Sequence, residues 1–102
     1  MKDAHFSIGE VVRHRMFGYH GVICDVDPVF MASGEWYERV AKSRPPKDRP
    51  WYHVLVDGQP AQTYVAERNL EPCESRPIRH PLVDQYFAEY KGGRYVPRHL
   101  KT

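Results

Sequence analysis

Between Arg39 and Arg49 five cations (Arg39, Lys42, Arg44, Lys47 and Arg49) face a single acid, Asp48. Cations at that density on one loop suit backbone phosphates, and each phosphate neutralised adds about one unit to the salt dependence of binding. Arg13 and Arg15 lie two residues apart on a predicted strand, so they share a face and extend the patch where that face is exposed. Arg13, Arg15, Lys42, Arg44, Lys47 and Arg49 are therefore the candidate DNA contacts. The competing account is a solvated loop whose charges are partly paired with Glu35 and Glu38; on charge statistics the two accounts stand level.

Aromatic side chains are the second candidate chemistry. Trp36, Trp51, Tyr52 and Tyr64 are residues of the kind that hold extended peptides when exposed on a small barrel. For Trp51 and Tyr64 the favoured expectation is a place in the core. Trp36 and Tyr37, together with Arg68, are the candidate partner-binding residues; Trp36 and Tyr37 either cap the barrel or form a self-association surface. His5, His14, His20, His53, His80 and His99 show no His-x3-His spacing, and no Cys-x2-Cys is present, so no metal and no cofactor is expected. Cys24 alternates with Val22 and Val26 and reads as a small buried side chain, not as an activated thiolate. No phosphate-binding glycine loop is present. The expectation is a binding protein and not an enzyme.

The elements that must carry these residues centre on Arg44–Gly58. Pro45, Pro46 and Pro50 fix φ and remove backbone donors, so the first half is a stiff loop. Trp51–Val56 follows as a strand with apolar side chains on both faces, which asks for a sheet covered on both sides. Residues 1–5 read as a frayed terminus. Val11–Arg15 and Val22–Val26 read as strands one and two, Gln62–Ala66 as strand four, and Leu70–Cys73 as a last strand after one helical turn. Ser33 is placed to cap a short helix over about residues 34–43, with Glu35–Arg39 and Glu38–Lys42 in the favoured i,i+4 order. Beyond Glu74, Pro81–Tyr90 has helical apolar spacing. Lys91, Arg94, Arg98 and Lys101 beside Gly92-Gly93 read as a mobile basic tail. The fold predicted is mainly β: a small barrel of about five antiparallel strands over residues 1–76, with an inserted helix, then a C-terminal helix and tail over 77–102.

A chain of 102 residues is one domain with a modest core, to which a 13% aromatic content contributes heavily. Fifteen Lys and Arg against thirteen Asp and Glu leave a net charge of +2, so a basic surface must come from clustering. Two cysteines are too few for a disulfide scaffold and point to a reducing, cytoplasmic setting. No apolar run approaches a membrane span, so no membrane partner is expected.

Val12-Arg13-His14-Arg15-Met16-Phe17-Gly18-Tyr19-His20-Gly21-Val22-Ile23, followed by Asp25-Val26-Asp27-Pro28, resembles the opening of the HspQ family, also called YccV-like or hemimethylated-DNA-binding domain proteins. So do Glu35-Trp36-Tyr37, Arg44-Pro45-Pro46-Lys47, Pro50–Asp57 and Thr63–Leu70. The resemblance runs in order from Phe6 to Pro72, weakens over Pro77–Phe87, and leaves the tail after Tyr90 as an extension. It implies an SH3-like barrel and a heat-shock protein that acts on hemimethylated DNA of the replication-origin region. It also implies enhanced specificity of the protease Lon, and self-association for which a trimer is one form. It transfers no site residue by residue. Three functions follow as expectations: a protease adaptor, a DNA-binding module, and a barrel whose partner is its own copy or another protein.

Overall fold

The computed structural model describes residues 4–98. Strands β1 (Val11–His14), β2 (His20–Asp27), β3 (Trp51–Val56), β4 (Gln62–Ala66) and β5 (Leu70–Pro72) form one antiparallel sheet in the order β4-β3-β2-β1-β5. A single 3-10 turn, Glu67–Asn69, joins β4 to β5. The mainly β, five-stranded antiparallel expectation holds at this level. Hydrogen bonding leaves β4 and β5 at the two edges of the sheet.

Apolar residues on both faces of β3 are explained by what covers each face. Tyr52 and Val54 join Val12, Ile23, Val65 and Leu70 in a core on one face of the sheet. On the other face, Trp51 packs with Tyr37, Ala41 and Ala66, so the helix α1 (Gly34–Val40) covers that end. Leu55 packs with Val11, Val22, Ile78, Phe87 and Tyr95 at the opposite end. Between the two covers lies His53, half-buried.

Helix α1 is capped as its sequence predicts: Ser33 Oγ accepts from the Trp36 N–H at 3.0 Å. It ends at Val40, before the expected boundary, and Arg44 adopts a left-handed φ of 53° ahead of Pro45. Glu38 pairs with Arg44 at 2.7 Å, an i,i+6 partner beyond the helix, where the helical spacing pointed to Lys42. The proline loop is held by two aromatic donors. Tyr37 Oη donates to the Pro45 carbonyl at 2.7 Å and Trp51 Nε1 to the Pro46 carbonyl at 3.0 Å.

The C-terminal region corrects the sequence reading. The helix over Pro81–Tyr90 is one short turn, α2 (Val83–Tyr86), and the chain then forms a hairpin of β6 (Phe87–Lys91) and β7 (Arg94–Pro97). Gly92 and Gly93 carry φ of 62° and 82° between the paired Lys91 and Arg94, as a two-residue hairpin turn requires. The spacing of Leu82, Val83, Tyr86 and Phe87 suited a helix, but burial of Phe87 and Tyr95 against the sheet favours strands. Lys91, Arg94 and Arg98 therefore belong to ordered structure; Lys101 lies outside the described residues. At the other end, residues 1–3 lie outside them too, while the His5 N–H donates to Glu67 Oε2 at 2.9 Å. No helix among the described residues is long and apolar enough to cross a membrane.

Candidate nucleic-acid interface

Two concavities flank the 3-10 turn. The first is a cleft of about 710 Å³ lined by Arg15 (after β1), Arg49 (before β3) and Arg68 (on the turn), with Pro46, Leu70 and Pro72. Two carboxylates also line it, and both are engaged. Glu67 Oε2 accepts from Tyr52 Oη at 2.6 Å, and Glu10 Oε1 from the Ser7 N–H at 3.1 Å. Burial and the Glu67 hydrogen bond hold the Tyr52 phenol well above its ordinary pKa, so it stays a neutral donor.

The second is a groove of about 470 Å³ along the edge strand β4, between the β1–β2 turn and α1. Met16 and Phe17 line one side, Trp36 and Val40 the other, and Tyr64 the floor. Tyr64 is fixed at both lone pair and proton: Oη donates to Asp27 Oδ2 at 2.7 Å and accepts from the Met31 N–H at 3.0 Å. Burial first, then that bond to Asp27, push its pKa up. The two concavities share Ala66, and the Arg68 guanidinium donates to the Ser43 carbonyl across the wall between them.

The structure sorts the sequence candidates. Arg13 and Arg15 both pair with Glu71, and Arg15 Nε also donates to the Leu70 carbonyl at 3.3 Å. Arg44 is taken by Glu38, and Lys47 lies 4.2 Å from the centre of the Tyr37 ring, a cation–π contact that pins the loop. Lys42 lines the groove and Arg49 the cleft. The six DNA candidates thus do not form one patch; Arg15 and Arg49 are brought together, and they meet Arg68, which was assigned to partner binding. Of the other partner candidates, Trp36 lines the groove, whereas Tyr37 is buried, its ring in the α1–Trp51 core and its hydroxyl spent on Pro45. A surface role for Tyr37 is corrected accordingly. Trp51 is a core residue and Tyr64 only half so.

Sequence spacing missed one cluster. A bulge in β2 between Ile23 and Asp25 shifts the register, so Val26 turns into the inner core and Asp25 and Asp27 come to the outer face beside His53. Polar atoms of Asp25, Asp27 and His53 lie within 4.8 Å of one another, close enough to hold a cation. Asp27 Oδ2 is already used twice, by Tyr64 and by His53 Nε2 at 3.2 Å, so the cluster acts as a bracket for the groove floor. His53 on β3 stands opposite Asp25 of β2 and Tyr64 of β4. Burial pushes the Cys24 thiol pKa up to about 11, and that of Cys73 is also raised.

Strand order, covers and concavities define a small, mainly β module with an arginine-lined cleft beside an aromatic groove. The chain belongs to the YccV-like family: residues 4–94 match the family described as hemimethylated DNA-binding protein YccV like, of which HspQ is a member. The match extends past Tyr90 through the β6–β7 turn to Arg94, the first residue of β7. The chain is also similar to mouse (Mus musculus) F-box only protein 21, with 37% identity over 99 residues. That alignment covers 94% of this chain but 16% of the mouse protein's length.

Proposed function

We propose that this chain is a DNA-binding module that seats backbone phosphates on Arg15, Arg49 and Arg68. The observation that carries the reading is that three arginines from separate elements line one cleft whose carboxylates are internally bonded, Arg15 being shared with Glu71 and Arg68 with the Ser43 carbonyl. Family membership supplies DNA as the polyanion, with a hemimethylated site as the preferred form. In finer detail we take the five-stranded sheet for an SH3-like barrel, a reading supported by the strand order and by the 3-10 turn between β4 and β5. Two free cysteines support a reducing, cytoplasmic setting, and burial that raises the pKa of both thiols supports a module without cysteine chemistry of its own.

The test is titration of the protein against unmodified and hemimethylated duplexes at several salt concentrations. Binding whose log K falls with log salt by about three units supports three phosphate contacts. Absence of binding at low salt to either duplex defeats the reading.

A second reading is a heat-shock adaptor for the protease Lon, acting as a homo-oligomer. It is favoured by Met16, Phe17 and Met31, exposed at 57%, 74% and 67%, which suit contact with another protein. Purified Lon whose rate and substrate preference stay unchanged on addition of this protein counts against it. Light scattering that returns a monomer removes the oligomer.

A further inference from the structure

The aromatic groove is not used by phosphate contacts, and its chemistry is specific enough to ask what it takes. Its rim is apolar on opposite sides: Met16 and Phe17 from the β1–β2 turn, Val40 from α1. Its walls are aromatic, and Trp36 meets Tyr64 edge to face. Trp36 stands 5.6 Å from Tyr64 at an interplanar angle of 67°, and Tyr64 cannot swing aside because Asp27 and Met31 hold its hydroxyl. At one end stands the Asn69 amide, whose Nδ2 donates to Ser43 Oγ at 3.3 Å; an amide carries the donor–acceptor chemistry that reads the edge of a base. Among the described residues no carboxylate lines the groove, and Lys42 is its one permanent charge.

Two relationships select the occupant. The groove adjoins the arginine cleft through Ala66 and the Arg68–Ser43 contact, so a strand whose phosphates rest on one side has its nucleosides beside the other. The charge also matches: a cationic cleft joined to an acid-free groove fits a polyanion that carries flat, apolar-faced groups. A base stacked inside a duplex cannot reach aromatic rings at the bottom of a groove. It must first leave the stack, which is the arrangement proteins use when they inspect a single base closely.

We propose that the groove receives one nucleobase turned out of the duplex, packed within the aromatic lining of Phe17, Trp36 and Tyr64 with its methyl group, where present, against Val40 and Met16. The inference rests on the DNA-binding reading above. It adds the site at which a methylated base differs from an unmodified one: a methyl group gains apolar contact at the rim and costs nothing at the cleft.

The experiment uses the full chain and a hemimethylated duplex containing one N6-methyladenine, with 2-aminopurine immediately 3′ to it. Extrusion of the methylated base unstacks the probe, so fluorescence rises on binding. Phe17→Ala and Val40→Ser, both at exposed positions and each checked for a native circular dichroism spectrum, are expected to abolish the rise and weaken binding about tenfold. The slope of log K against log salt stays as in the unsubstituted protein. If the unsubstituted protein binds duplex with the expected salt slope but no fluorescence rise, and both variants bind as it does, the inference is overturned while the DNA-binding reading stands. If the variants keep DNA binding and the fluorescence rise but lose an apolar peptide that pairs along β4, the groove is a peptide site and the inference is overturned again. If no duplex is bound at all, the DNA-binding reading itself has failed.

Discussion

His14 Nδ1 accepts the backbone N–H of Phe17 at 3.1 Å while the two rings stack, centroids 4.6 Å apart and planes 22° from parallel. The same nitrogen accepts from the Met16 N–H at 3.1 Å. One buried imidazole therefore sets the shape of the turn that presents two exposed apolar side chains at the groove rim.

Because Nδ1 is an acceptor, His14 must be neutral with its proton on Nε2, and burial lowers its pKa below the usual value of 6.5. The unfolded chain thus binds a proton in a pH range where the folded protein does not. Stability is fully present above 6.5 and falls as the pH drops through that value toward the folded pKa. Urea titrations at pH 7.5 and pH 5.5 are expected to show a lower midpoint at pH 5.5. His14→Ala, which leaves two N–H groups without an acceptor, is expected to cost about 1–3 kcal/mol and to remove much of this pH dependence. A variant whose midpoint tracks pH as before refutes the assignment.

Trp51 is 1% exposed and joins the proline loop, α1 and β4. Trp51→Ala is expected to lose about 3–5 kcal/mol in chemical denaturation. Trp51→Phe keeps a ring but loses the donor to the Pro46 carbonyl, and is expected to lose less. Equal losses for the two would mean that the hydrogen bond, and not the packing, anchors the loop.

Gly9 joins the sheet to the C-terminal hairpin. Its φ is 94°, its carbonyl accepts the Tyr95 N–H at 2.9 Å, and a Cβ placed there would sit 2.0 Å from the Tyr95 carbonyl oxygen. Gly9→Ala is expected to destabilise by about 2–4 kcal/mol, from left-handed strain and the clash together. Hydrogen exchange should show protection lost first in Phe87–Pro97. A uniform loss across all strands would show that the hairpin does not separate from the sheet.

Cations on one loop are expected to behave differently. Arg49→Ala and Arg68→Ala each should weaken DNA binding and reduce the salt slope by about one. Arg44→Ala, whose guanidinium is already paired with Glu38, should leave the slope unchanged. A slope that falls equally for all three would assign binding to diffuse charge and not to the cleft.

Cys24 is expected to resist iodoacetamide in the folded protein at pH 8, being 6% exposed with a thiol pKa of about 11. Mass spectrometry should find it modified only after denaturation. Rapid labelling under native conditions would show that β2 opens locally.

Much of the sheet was legible because strands and caps are written in local pattern. Trp51–Val56 and Gln62–Ala66 appear with the bounds their alternation predicts, and Ser33 caps the helix that follows it. The C-terminal hairpin was not legible, because Leu82–Tyr90 fits a helical period equally well and only burial of Phe87 and Tyr95 against Leu55 and Val22 decides between them. The same limit applied to the charges. Arg44 and Lys47 stand in the densest cationic stretch, yet each is committed to Glu38 or to the Tyr37 ring.

The sequence alone determined the strands of the sheet, the capped helix and the stiff proline loop, since each depends on residues within a few positions of one another, and the family, from motifs strung in order over Phe6–Pro72. Only the tertiary structure decided that Arg15, Arg49 and Arg68 share a cleft, and that a bulge in β2 turns Asp27 toward Tyr64. Those relationships join residues 19 to 53 positions apart or 37 apart, across strands whose register is set by packing. A single extra residue in a strand reverses which side chains face in, and no local pattern records that reversal.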